Sequence, residues 1–258
     1  MNKNKHLYFL HIPKTSGMKM QHELLNAAKN AFFVDGEEAR SVGNVYIPDD
    51  FEFVFDPEIA NTHNIICGHF GRNPIDAIEG LTTFSIIREP FSQFLSLAKY
   101  AAHQSEVEFT EEFLDSFLLN DNELGTNFEG MSGCDNPQSC FLYSKISSIE
   151  RFNGIDEFGN SVFSEKKTIF VEKPKSYKDL EERIDGIIIG ILEKRNLLID
   201  KINPTLESNF GMRIDSNCEI VNNTPKIKFK INNRHKQIIN EKTEIDNELY
   251  HRVDECLK

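Results

Sequence analysis

The sequence has no tryptophan, no CxxC pair, no GxxxxGK run followed by Ser or Thr, and no apolar stretch of membrane length. Each absence removes a class of protein. Without CxxC spacing a zinc ribbon has no ligand set, and no metal is expected. The five cysteines, Cys67, Cys134, Cys140, Cys218 and Cys256, are odd in number and irregularly spaced. They read as reduced thiols, with a Cys134–Cys140 pair as the alternative. The missing GxxxxGK-Ser/Thr run excludes a Walker A loop. Residues 187–192 form the longest internal apolar stretch, flanked by Asp185 and Glu193, far below the roughly 20 residues that span a bilayer. Near the start only Leu7–Leu10 is apolar before His11, too little for the core of a signal peptide. A cytoplasmic protein with no membrane partner is expected.

Basic charge is also scarce. Lys and Arg number 29 against 41 Asp and Glu, for a net charge of −12. Proteins that bind duplex nucleic acid carry a basic face, so no nucleic-acid partner is expected. Between Glu106 and Glu157 twelve acidic residues face only Lys145 and Arg151. That stretch reads either as a solvated surface or as an acidic rim suited to a cationic ligand. Lys226, Lys228, Lys230, Arg234 and Lys236 form a local basic cluster.

What is present suffices for one core: 258 residues, 39% hydrophobic, with 21 Phe. A single domain over 1–258 is expected. Short apolar runs at 6–11, 64–67, 82–87 and 168–171 read as strands. Helical spacing follows at 18–31, from Pro90 onward, at 176–194 and at 234–257. The alternation predicts an α/β protein with a P-loop-like parallel sheet flanked by helices.

The first strand runs into His11-Ile12-Pro13-Lys14-Thr15-Ser16-Gly17-Met18. A loop between a strand and a helix offers free backbone N–H groups beside the positive end of the helix. Gly17 admits close approach, Lys14 adds a full charge, and Thr15 and Ser16 add hydroxyls. The third strand ends at Arg88-Glu89-Pro90, where open α/β sheets place their ligands, and a guanidinium suits forked bonding to phosphate. Ser96 follows two helical turns into the next element.

These two anchors resemble the PAPS-dependent sulfotransferases, most closely the heparan-sulfate type (PAPS is 3′-phosphoadenosine-5′-phosphosulfate). His11, Ile12, Pro13, Lys14, Thr15 and Gly17 match its 5′-phosphosulfate loop. Ser16 replaces a Gly, and Met18 and Lys19 replace two hydroxyl residues, leaving Met18 only its backbone N–H. Arg88, Glu89, Pro90, Ser96 and Tyr100 match the 3′-phosphate segment. Shorter likenesses follow in order: Cys67-Gly68-His69-Phe70, Asp135-Asn136-Pro137-Gln138 with Cys140 where the family often has Arg, Thr168 to Glu172, and Asp246-Asn247-Glu248-Leu249-Tyr250.

The resemblance implies a sulfotransferase that moves the sulfuryl group of PAPS to a hydroxyl or amine of a small acceptor, releasing 3′,5′-ADP without a metal. It implies Lys14, Thr15, Ser16, Gly17 and Met18 at the 5′ end of the nucleotide and Arg88 and Ser96 at its 3′-phosphate. Lys14 then stabilises the leaving oxygen. His69 is the candidate base, because imidazole titrates near neutrality, with His63 and Glu129 in reserve and His11 read as structural. Asn222-Asn223-Thr224 and the lysines after it read either as a basic lid, with Asn223 and Lys226 touching the nucleotide, or as an amphipathic strand carrying Ile227, Phe229 and Ile231. A cationic natural product fits the acidic stretch as acceptor. A P-loop kinase and a non-catalytic nucleotide-binding module are the competing readings.

Overall fold

The computed structural model describes residues 6–31, 41–42, 45–48, 55–119, 135–155, 161–215 and 227–258. In chain order the first elements are β1 (Leu7–Leu10), α1 (Gly17–Ala31), β2 (Ser41–Val42), β3 (Val45–Tyr46), α2 (Ile59–Thr62), β4 (Ile65–Gly68), α3 (Asn73–Ala77), β5 (Thr82–Ile87) and α4 (Pro90–Gln104). Then follow α5 (Glu111–Leu119), α6 (Pro137–Tyr143), β6 (Ile146–Ile155), β7 (Ser161–Phe170), α7 (Tyr177–Ile184), β8 (Ile187–Ile191), α8 (Arg195–Phe210), α9 (Asn233–Lys242) and α10 (Glu244–Cys256).

The main sheet has the order β2-β3-β4-β1-β5-β8, with β3, β4, β1, β5 and β8 parallel and β2 antiparallel at one edge. Its inner strands are apolar on both faces because helices cover both. Leu7, Phe9, Ile65, Cys67, Phe84 and Ile86 pack with Met20 and Leu24 of α1 and Leu198 and Ile202 of α8. The alternate residues Tyr8, Leu10, Ile66, Ile87, Ile189 and Ile191 pack with α6, α7 and α10 through Phe141, Leu142, Leu180 and Leu249. A third apolar cluster joins α4, α5 and α9 through Phe94, Leu97, Phe113, Phe117 and Ile239.

Four expectations about the elements need correction. Residues 168–170 close β7, which among the described residues pairs with β6 in a separate two-stranded antiparallel sheet and not with the parallel sheet. The single helix expected over 176–194 stops at Ile184. Gly186 takes a left-handed turn (φ +81°), and the isoleucines after it form β8, the outer parallel strand. β-branched residues fit the pleated sheet better than a helix. The C-terminal helix divides at Thr243 into α9 and α10. Residues 227–231 form no strand: Ile227, Phe229 and Ile231 pack on the α4/α5/α9 cluster, and Lys228 pairs with Glu108 at 2.9 Å. The fold class itself is as expected, a parallel sheet flanked by helices.

Candidate functional site

From β1 the chain moves to one side of the sheet, forming β3 and β4. It then crosses to the other side for β5 and β8. The order therefore reverses between β1 and β5, and ligands of open α/β sheets bind beyond the carboxyl ends of the strands at such a point. Those two ends carry the loop before α1 and Arg88.

The loop is held from below. Ser85 donates its hydroxyl to Leu10 O (2.8 Å), and Gln93 of α4 donates its amide to Pro13 O (3.0 Å). Lys14 and Ser16 both lie in the left-handed region at φ +66°, although neither is glycine. Such positions cost on the order of 1–3 kcal/mol each and gather at ligand clamps. Among the described residues, no acceptor meets the backbone N–H of Ser16, Gly17 or Met18. Gly17 is fixed by sterics: a Cβ there would run into the His11 ring, which lies buried beneath the turn.

Two cations converge above the loop. The Lys14 ammonium sits over the Tyr100 ring at 4.4 Å, and Arg88 donates Nη1 to Lys14 O at 3.4 Å. Burial, and then the Arg88 charge, hold Lys14 below the usual lysine pKa. Lys99 is lowered by the same two causes in the same order. No carboxylate among the described residues pairs with Lys14 or Arg88. On α4, Gln93, Ser96 and Tyr100 recur at helical spacing. Gln93 and Tyr100 both touch the loop, so Ser96 faces the same cleft, one turn nearer Arg88. It is buried and its hydroxyl has no partner among the described residues.

On the other side of β1, His69 follows the end of β4. Its Nδ1 lies 2.6 Å from His11 O, and its ring lies 4.1 Å from the His11 ring, centroid to centroid. A carbonyl only accepts, so Nδ1 carries the hydrogen, which makes Nε2 the basic nitrogen of the neutral tautomer. His11 itself is kept neutral: burial first, then the charges of His69 and Lys14, push its pKa well below the ordinary value.

The structure thus brings together Lys14, Ser16, Gly17, Arg88, Ser96 and, through His11, His69. One sequence expectation, that for the Thr15 hydroxyl, changes in role. The Thr15 hydroxyl is fully buried and donates to Ile12 O at 2.7 Å, so it holds the loop and leaves only its backbone to a ligand. Met18 is 64% exposed, with its side chain in solvent. Asn223, Lys226 and Glu129 lie outside the described residues, as do Cys134 and Cys218. His63 contacts Thr62 and Tyr46 instead of the loop. Lys99, Gln93 and the bonding of Gln138 to Arg88 were not anticipated. The signal for the first two was their spacing from Ser96 on one helix face.

A separate cavity of about 650 Å³ is lined by Arg72, Asp76, Lys145, Glu172 and Arg183 among others, and contains none of these residues. Its charges largely pair with one another, Lys145 with Asp76 and Arg183 with Glu172. Among the described residues no cluster of His, Cys, Asp and Glu could hold a metal ion, and no helix is long and apolar enough to cross a membrane. Comparison with protein-family models and with curated proteins gives no match for this chain.

Proposed function

We propose that the protein is a sulfotransferase that uses PAPS and sulfates a hydroxyl or amine of a small acceptor. The observation that carries this reading is the pair Lys14 and Arg88 at the ends of adjacent parallel strands, without a carboxylate partner among the described residues and beside unpaired N–H groups of α1. Two cations in one partly buried cleft repel each other and call for an anion. Two anchors on two strands suit a ligand with phosphates at both ends of a nucleoside. The sulfotransferase version of the α/β fold and the binding of PAPS are part of the same proposal.

The chemistry follows from positioning and charge. The acceptor oxygen or nitrogen attacks sulfur in line, and a new bond to sulfur forms as the bond to the bridging phosphate oxygen breaks. The acceptor proton passes to Nε2 of His69, and the electron pair leaves with 3′,5′-ADP. Lys14 and the N–H groups of Ser16 and Gly17 stabilise the charge that grows on the leaving oxygen, as in phosphoryl transfer. Arg88 and Ser96 hold the 3′-phosphate and set the reach of the reacting end.

The test is sulfuryl transfer from labelled PAPS to a panel of small alcohols, phenols, amines and guanidines, together with calorimetry of 3′,5′-ADP against 5′-ADP. Transfer, with 3′,5′-ADP bound at least tenfold more tightly, supports the reading. Equal affinity for the two nucleotides removes the 3′-phosphate site and the reading with it.

A further inference from the structure

Asp246 lies at the start of α10, fully buried, and no step above uses it. Its carboxylate accepts three hydrogen bonds from the first turn of α6: Gln138 N–H at 3.1 Å, Ser139 N–H at 2.7 Å and the Ser139 hydroxyl at 2.5 Å. Pro137 opens that helix and has no N–H, so Asp246 meets the first two backbone donors available. The capping is reciprocal. Asn136, just before α6, accepts the N–H groups of Ile245 and Asp246 at 2.7 and 3.2 Å, and its own N–H bonds to Lys242 O at 2.6 Å. The two helix starts are locked to each other.

The lock leads to the cradle through one side chain. The buried Gln138 amide makes both bonds to the Arg88 backbone: its Oε1 accepts Arg88 N–H at 2.8 Å and its Nε2 donates to Arg88 O at 2.9 Å. Arg88 is one residue past the last β5 pair, Ile87 with Ile191, so among the described residues no neighbouring strand holds its peptide groups. Gln138 takes the place of that missing strand. Arg88 then reaches Lys14 O. Three donors converge on Asp246, and a carboxylate, which only accepts, can serve them all. Asparagine would turn an NH₂ toward one of them. No cation among the described residues pairs with Asp246, and a buried carboxylate without one is costly, so its bonds to α6 are what hold it there.

We infer that Asp246 is a positioning residue for the anion cradle: it fixes α6 so that Gln138 holds the Arg88 backbone in place opposite Lys14. As a statement about nucleotide binding, this rests on the proposed function. As a statement about Arg88, it does not.

The experiment reads both. Amide hydrogen exchange by NMR follows Arg88, with Phe84 and Ile86 of β5 as internal references, in the wild type, Asp246→Asn, Gln138→Ala and the double variant. Calorimetry with 3′,5′-ADP accompanies each. In Asp246→Asn and in Gln138→Ala the Arg88 amide exchanges at least tenfold faster while Phe84 and Ile86 keep their protection. Nucleotide affinity falls about tenfold in each, and the double variant loses little more, because both act through one path. An Asp246→Asn protein with a lowered melting point but wild-type Arg88 exchange overturns the inference, since a purely structural cap behaves that way. If Asp246→Asn does not fold, Ser139→Ala, which removes one of the three bonds, is measured instead and must also speed Arg88 exchange. Failure of the wild type to bind 3′,5′-ADP defeats the proposed function alone, and the exchange data still decide the role of Asp246.

Discussion

The ammonium of Lys14 rests 4.4 Å from the centre of the Tyr100 ring, although the two residues come from different elements, the loop after β1 and the third turn of α4. The ring face is the negative surface that receives Lys14, while Arg88 approaches the same loop with a second positive charge. The ring therefore orients the ammonium without neutralising it. A carboxylate in that place would hold Lys14 as well but would compete with an anionic ligand.

Lys14→Ala is expected to lower turnover by about 100- to 1000-fold with little change in melting point, the usual effect of removing one transition-state donor. Tyr100→Leu should give a smaller loss, on the order of tenfold, because the ammonium remains but wanders. Steady-state rates and thermal melts of both variants check this. A Lys14→Ala enzyme of near-normal rate would show that the loop does not stabilise the leaving group.

Burial and Arg88 lower the Lys14 pKa, and the direction sets a pH dependence. As pH rises through that lowered value, Lys14 loses its proton and the cleft loses one of its charges, so affinity for 3′,5′-ADP falls at a pH where an ordinary lysine is still charged. Lys14→Arg, charged throughout, should keep a flat profile over the same range. Calorimetry from neutral to alkaline pH separates the two, and a fall of equal size in Lys14→Arg would assign it to another group.

Much of this site is legible in the sequence because its parts are local. The run from His11 to Met18 and the Arg88-Glu89-Pro90 turn sit at strand ends marked by apolar residues and by Pro and Gly, and the structure places them on adjacent strands. The support for Arg88 is not legible in the same way. Gln138 and Asp246 are 108 residues apart, and no local pattern says that a helix cap from one will fix the side chain of the other. Residues 187–191 fail for a different reason. A short apolar run is compatible with a buried helix or a buried strand, and Gly186 with the isoleucines after it favoured the strand. The run 168–171 reads as a strand, but nothing local marks its partner β6, so the sequence alone puts it in the parallel sheet.

Gly17→Ala should destabilise the protein, since its Cβ would strike the ring of His11, which is itself buried. Overpacking of this kind costs about 1–3 kcal/mol. His11→Ala removes the obstacle, so the double variant should lose less than the sum of the two single losses. Chemical denaturation of the four proteins completes the cycle, and simple additivity would mean that the ring is not what Gly17 accommodates.

Asp246 gives stability a pH signature of its own. Burial raises its pKa to about 6, while bonds from Ser139 and Gln138 pull the other way without cancelling the rise. The unfolded carboxyl titrates near 3.9. Between those values the folded protein holds a proton that the unfolded chain lacks. The contribution is therefore full below about pH 4 and is lost as pH rises through about 6, by on the order of 3 kcal/mol. Asp246→Asn has no such group. The stability of the wild type relative to the variant should therefore decline from pH 4 to pH 7, as read from urea unfolding of both. A constant difference across that range would mean that the buried carboxyl titrates where an ordinary one does.

His69 carries the last prediction. With its Nδ1 hydrogen given to His11 O, the ring can accept a proton only at Nε2, and it reaches the cleft from β4, across β1 from Arg88. It should therefore meet the acceptor and not the 3′-phosphate. His69→Ala is expected to lower kcat by about 100-fold or more and to leave 3′,5′-ADP affinity within twofold of the wild type. With an alcohol or phenol acceptor, the wild-type rate should fall toward acid as the imidazole gains its second proton, and the variant should lack that limb. An amine acceptor is unsuitable here, because its own protonation produces the same limb. Nitrogen NMR of the imidazole adds a readout independent of turnover: at a pH above the acidic limb Nε2 should show the shift of an unprotonated nitrogen. A protonated Nε2, or a variant that keeps both the rate and the acidic limb, would place the base elsewhere, with His63 the next residue to replace.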